Sequence, residues 1–281
     1  MKGRKDKRFS MMRNTVIALL GAGLGLAGPA TSAWADMSLD VSPIRVQVRV
    51  NAGDEYTNAL RVLNSGREPI RLRAYVEDWT LDEVGTPVFR TAGTETRSAS
   101  IWMEAAPADF LLEPGETKFV RFTARVPDGI PDGGYHSSLL LESLPLDRTQ
   151  EGVMRMFVQG RVACMIYVTV GNPRRAAEIT SLTPIRRGDK HYVRLTVANT
   201  GDDTVRLAGD LKLFEGMDPR GEAVPLPDVP VLPGGRRRVD LEVPVEFAAR
   251  VMARLTIDID GVGVLLGECS LDPEKVQLVK E

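Results

Sequence analysis

Beyond residue 40 the chain alternates apolar and polar positions with a period of two, the mark of half-buried β-strands. In 41–50, Ile44, Val46, Val48 and Val50 share one face, and Arg45, Gln47 and Arg49 the other. Similar runs cover 56–63, 70–79, 118–126, 135–144 and 161–170. Residues 80–100 are polar, with one short strand expected near Val88 and Phe89. Met154, Met156 and Val158 alternate ahead of Gly160, where a glycine invites a bend. The stretch 171–173 (Gly-Asn-Pro) reads as a boundary, and strands follow over 177–182, 192–197, 205–214, 237–243, 251–259 and 262–268. Residues 225–233 read as a rigid, proline-rich connection, and 246–250 as a single helical turn. No long amphipathic helix interrupts the series. The pattern predicts an all-β chain built as two sandwiches in tandem.

A repeated phrase supports that division. Val62-Leu63-Asn64-Ser65-Gly66, followed by Leu112-Glu113-Pro114-Gly115, returns as Val197-Ala198-Asn199-Thr200-Gly201 with Leu232-Pro233-Gly234. In each copy a strand enters an Asn-x-Gly turn, and a Pro-Gly turn opens a later strand.

The first 35 residues differ in kind. Six basic residues lead into a short apolar stretch, and Ala33-Trp34-Ala35 offers the small residues of a cleavage site. The expectation is an exported protein that starts near Asp36, without stable membrane insertion, in the periplasm. Removing six of 36 basic residues and one of 38 acidic ones leaves a formal charge of −7. That balance disfavours nucleic acid as a partner. Cys164 and Cys269 fall in different halves and read as separate buried thiols.

Catalytic patterns are sparse. His136 and His191 lie in different halves, without the clustered ligands a zinc site needs. Ser137-Ser138 lacks the Gly-x-Ser-x-Gly context of a nucleophile elbow. Asp258 and Asp260, placed on one face of a strand, read as exposed edge residues. The reading is of a binding protein, with no enzyme chemistry and no cofactor.

Pro43-Ile44-Arg45-Val46, Gly53, Leu63-Asn64-Ser65-Gly66, Trp79, Leu112-Glu113-Pro114-Gly115-Glu116 and the strand over 118–122 together resemble the PapD-like periplasmic chaperones of fimbrial assembly. The resemblance covers 38–170 and thins beyond it. It implies two immunoglobulin-like domains, 36–172 and 173–281. It also implies a clamp that lends a strand to an exported pilus or surface subunit. Such chaperones hold the subunit's terminal carboxylate with two basic residues. Arg45 matches the first. The second position falls near Ala163, and Arg161 lies on the same face two residues away. Met154, Met156 and Val158 complete the expected partner-binding set. The departure at 163 leaves an outer-membrane usher open as a second partner. It also leaves open a structural or adhesive component of an extracellular assembly.

Overall fold

The computed structural model describes residues 38–146 and 159–279, which belong to one compact unit. The first ten strands are β1 (Leu39–Ser42), β2 (Arg45–Val50), β3 (Glu55–Asn64), β4 (Ile70–Leu81), β5 (Pro87–Arg90), β6 (Met103–Ala106), β7 (Asp109–Leu112), β8 (Thr117–Arg125), β9 (Gly133–Leu144) and β10 (Arg161–Val170). They form two facing sheets, β1-β3-β8-β6 and β2-β10-β9-β4-β5, with β7 added to β4. This order is the immunoglobulin arrangement, in which the chain crosses repeatedly between the sheets. Leu60, Val62, Leu72, Val120, Phe122 and Ile166, all fully or almost fully buried, are central to the core between them.

The second sandwich contains β11 (Ala177–Arg187), β12 (Lys190–Asn199), β13 (Val205–Glu215), β14 (Asp218–Pro219), β15 (Val224–Val231), β16 (Arg236–Glu242), β17 (Val251–Ile259), β18 (Val264–Ser270) and β19 (Gln277–Leu278). Its sheets run β16-β12-β11-β19 and β14-β13-β17-β18, with β15 on β13. Alternation is plainest in β17, where Val251, Ala253, Leu255, Ile257 and Ile259 are buried between exposed Arg254, Thr256 and Asp258. The all-β architecture of two sandwiches expected from the pattern is present, and so is the immunoglobulin-like arrangement that the resemblance implies.

The repeated phrase is one corner built twice. Asn64 Nδ2 donates to the carbonyls of Glu68 (2.8 Å) and Leu112 (3.0 Å), while its Oδ1 accepts from Gly66 N. Asn199 Nδ2 donates to the carbonyls of Asp203 and Val231 (both 2.8 Å), and its Oδ1 accepts from Gly201 N. Both side chains are buried. The Pro-Gly turns put Gly115 and Gly234 at positive φ, which glycine adopts without a Cβ clash, and so return Leu112 and Val231 to the asparagine.

Several expectations need correction. Residues 41–50 do not form one strand. The chain leaves β1, passes Pro43, which has no N–H to give a ladder, and enters the other sheet as β2. Ile44 falls in that crossing and is 66% exposed, apart from Val46 and Val50 in the core. The proline-rich stretch 225–233 is mostly the strand β15. Among the described residues it pairs only with β13, and an edge strand tolerates prolines because its outer side needs no donors. Residues 246–250 hold a turn and no helix. Asp260 lies past the end of β17 with φ 46°, so it does not share a strand face with Asp258. Asp258 accepts from Gly261 N, and Asp260 from Arg206 N.

Among the described residues both cysteines are free thiols, Cys164 buried and Cys269 half-buried. Burial pushes their pKa values up to about 12 and about 11, so both stay protonated and poorly nucleophilic.

Candidate functional site

The outward face of the β2-β10-β9-β4 sheet meets the second sandwich. Because side chains alternate, Arg45, Gln47 and Arg49 of β2 share this face with Arg161, Ala163, Met165, Tyr167 and Thr169 of β10. Trp79 from β4, Tyr167 and Leu232 form a small apolar cluster, with Leu81, Phe89 and Met165 packed around it. The Trp79 and Tyr167 rings meet edge to face, 5.3 Å between centroids. Trp79 Nε1 donates to the Ser137 carbonyl at 2.8 Å, which satisfies the indole inside the cluster.

Three sets of polar contacts surround this plug. Asp203, its side chain 3% exposed, accepts from Thr169 Oγ1, Arg175 Nε and Thr204 N. Beside it Gly134 N donates to the Asp202 carbonyl at 2.7 Å, and a Cβ on Gly134 would run into Asp203 and the Thr204 backbone. On the second side, Arg238 N donates to the Glu83 carbonyl in the turn between β4 and β5. There the Arg237 guanidinium lies where a side chain on Gly85 would stand. On the third, Asp228 of β15 receives two arginines. Arg206 of β13 grips it through Nε and Nη2 at 2.5–3.0 Å, and Arg45 Nη1 stands 3.8 Å away. The Arg206 hydrogen bonds hold the Asp228 carboxyl below its ordinary pKa. Burial raises that of Tyr167, whose ring lies beside Arg206 and Arg45.

His136 is a buried polar residue next to the plug, 5% exposed, with neither ring nitrogen hydrogen-bonded among the described residues. Burial lowers its pKa to about 4, against a smaller opposing effect of Asp78; Arg97 adds to the lowering. An unfolded histidine titrates near 6.5. Above that the ring is neutral in both states. Between about 6.5 and 4 the unfolded chain takes up the proton first, so stability falls as the pH drops through this window. The expected loss between pH 7.5 and pH 5 is about 2 kcal/mol, and His136→Phe abolishes it. Urea midpoints at the two pH values for both proteins check this. The lowered carboxylates Asp78, Asp228 and Asp240 titrate below that window.

The backbone of β10 is paired unevenly. On one side β9 accompanies it from Arg161 to Val170. On the other, β2 runs parallel to it from Met165 to Val170 only. Met165 N donates to the Ile44 carbonyl, so odd-numbered residues of β10 present their N–H and C=O groups on the β2 side. Among the described residues no strand covers that side at Arg161–Cys164. The open stretch is collinear with β2 and ends where β2 begins, at Ile44 and Arg45.

The two basic residues expected to act as a pair are not brought together. Arg45 pairs in register with Met165, four residues along β10 from Arg161, a separation of about 13 Å at strand spacing. Arg161 stands 3.8 Å from Glu77 and 3.5 Å from Glu142 on its own sheet. Met154, Met156 and Val158 lie outside the described residues. Sequence reasoning missed Asp228 and Arg206, whose segments face Arg45 only through the long-range fold. Tyr167 carried a signal, since its period-two spacing from Arg161 puts it on the same face.

The chain is similar to fimbrial chaperones. It shares 14% identity and a TM-score of 0.47 with CfaA, a class 5 fimbriae chaperone, over 82% of this chain and 98% of the other. For the YadV chaperone the values are 12% and 0.47, over 83% and 99%. For the CsuC–CsuE chaperone–tip subunit pre-assembly complex of Acinetobacter baumannii they are 15% and 0.46, over 86% and 99%. No protein-family model and no curated protein matches the chain. At these identities and TM-scores, none of the similarities assigns a partner or a residue role here. Among the described residues no group of three or more histidine, cysteine or acidic side chains could hold a metal ion.

Proposed function

We propose that this protein is a periplasmic, chaperone-like binder that receives a strand of an exported pilus or surface subunit at the open edge of β10. The observation that carries the reading is that, among the described residues, no strand covers the β2 side of Arg161–Cys164. Unpaired N–H and C=O groups at a sheet edge favour addition of another strand, and main-chain hydrogen bonds supply affinity without a fixed sequence. A strand added there in the direction of β2 would end against Ile44 and Arg45. The exposed Ile44 side chain offers apolar contact, and the Arg45 guanidinium offers charge-assisted hydrogen bonds to a terminal carboxylate.

Arg161 would then contribute beside the added strand, away from the carboxylate. Met154, Met156 and Val158 precede β10 in the chain and complete the reading as its apolar side chains. Export with loss of residues 1–35 and a domain boundary at 172/173 belong to the same proposal, as does an outer-membrane usher as a second partner. The reading needs no cofactor.

Isolation of the tagged protein from its native host, with mass spectrometry of stoichiometric partners, tests this. One exported partner that lacks a strand of its own is the expected companion. Arg45→Ala should weaken the complex about tenfold, the scale of one charge-assisted contact at a half-exposed site. No such partner, or permanent incorporation into a surface polymer unaffected by the substitution, would favour a structural component instead.

A further inference from the structure

Arg45 and Arg206 come from different sandwiches and converge on the same carboxylate. Their attachments differ. Arg206 holds Asp228 with Nε at 2.7 Å from Oδ1 and Nη2 at 2.5 Å from Oδ2, and its own side chain is 15% exposed. Arg45 reaches Oδ2 only at 3.8 Å, with 46% of its side chain and 53% of the Asp228 side chain exposed. Pairs that loose and wet are worth little, so Arg45 can leave at small cost while Arg206 keeps its partner.

The position matters because Arg45 is the first residue of β2, where the open line along β10 ends. A carboxylate arriving along that line meets a guanidinium already turned toward another carboxylate. It also meets the negative charge of Asp228 itself, which repels it. We propose that Asp228 is a resident competitor for the terminal carboxylate of the added strand, holding Arg45 until a partner displaces it. The inference rests on the strand-addition reading above. Asp228 thereby sets a threshold. A partner gains Arg45 only when its backbone pairing with β10 holds its carboxylate at high local concentration, which discriminates against free carboxylates in solution. Because Asp228 belongs to the second sandwich, the exchange also releases one contact between the two sandwiches.

Two measurements test the competition. The first needs no partner: phenylglyoxal modification of arginines, followed by mass spectrometry, in the wild type, Asp228→Asn and Asp228→Ser. The asparagine keeps an acceptor for Arg206, and the serine is a second variant should the first fold poorly. The Arg45 modification rate should rise several-fold in either variant, while Arg49, which donates to the Gly171 carbonyl, stays unchanged. An unchanged Arg45 rate overturns the proposal.

The second measurement compares binding of a synthetic peptide of alternating valine and threonine, as the free acid and as the C-terminal amide. In Asp228→Asn the acid should bind roughly fivefold tighter than to the wild type, with no change for the amide. Adding Arg45→Ala should remove the difference. Equal preference for the acid in the wild type and in Asp228→Asn overturns the competition and leaves the Arg45 anchor standing. No preference in Asp228→Asn, where Arg45 is released from the competing carboxylate, overturns both.

Discussion

Asp203→Ala is expected to lower stability by about 3–5 kcal/mol, the range found when one member of a buried, hydrogen-bonded charge pair is removed. The carboxylate is almost wholly buried and receives Arg175 Nε, Thr169 Oγ1 and Thr204 N. Truncation leaves the half-buried Arg175 guanidinium without its counter-charge and Thr169 Oγ1 and Thr204 N without their acceptor. Thr169 belongs to β10 and Asp203 to the turn between β12 and β13, so the lost contacts also join the two sandwiches. At about 2–4 °C per kcal/mol for a protein of this size, the midpoint should fall by roughly 10 °C. Differential scanning calorimetry should also resolve two transitions where the wild type gives one. Asp203→Asn, which keeps the shape and part of the hydrogen bonding, should cost less. A single transition within a degree of the wild type would mean that the sandwiches are joined chiefly by the Trp79, Tyr167 and Leu232 plug.

The second large effect belongs to the duplicated corner. Asn64→Ala and Asn199→Ala each remove three hydrogen bonds inside a buried turn and leave main-chain groups unpaired. A cost of about 2–4 kcal/mol each follows from the penalty for stranding buried polar groups. Aspartate at either position keeps the acceptor but loses both amide donors, so it should behave nearly as badly as alanine. The sites sit in different sandwiches, and their effects on urea midpoints should add. If one substitution were nearly neutral, the matching hydrogen bonds of the two corners would not carry matching weight.

That corner also shows what the sequence made legible. The Asn-x-Gly and Pro-Gly phrases could be read directly because their geometry depends on a few neighbouring residues. Strands such as β8, β10 and β17 were legible for the same reason: their alternation is local. The break at Pro43 was less so, since Val41, Ile44, Val46, Val48 and Val50 stay apolar on both sides of it. Only pairing with different sheets separates β1 from β2. The strand β15 was hidden by Pro225, Pro227 and Pro230, which resemble a loop until its pairing with β13 is known.

The site was legible only in part. Arg45 could be placed on an outward face from alternation alone. Its partner could not, because Asp228 lies in β15 and reaches it only after both sandwiches have folded. The period-two spacing of Arg161 from Ala163 could be read from the sequence, but strand spacing keeps Arg161 well away from Arg45. The neutral, buried state of His136 was equally out of reach, since nothing local to His136-Ser137-Ser138 reveals that Trp79 packs against the ring at 5.5 Å.

The most direct measurement of the open edge is amide hydrogen exchange along β10, residue by residue by NMR. In the free protein, Arg161 and Ala163 should exchange fast, while Val162 and Cys164, whose amides face β9, exchange slowly. When the partner binds, protection should appear at Arg161 and Ala163. Slow exchange at both in the free protein, or no gain in protection in the complex, would contradict strand addition at this edge.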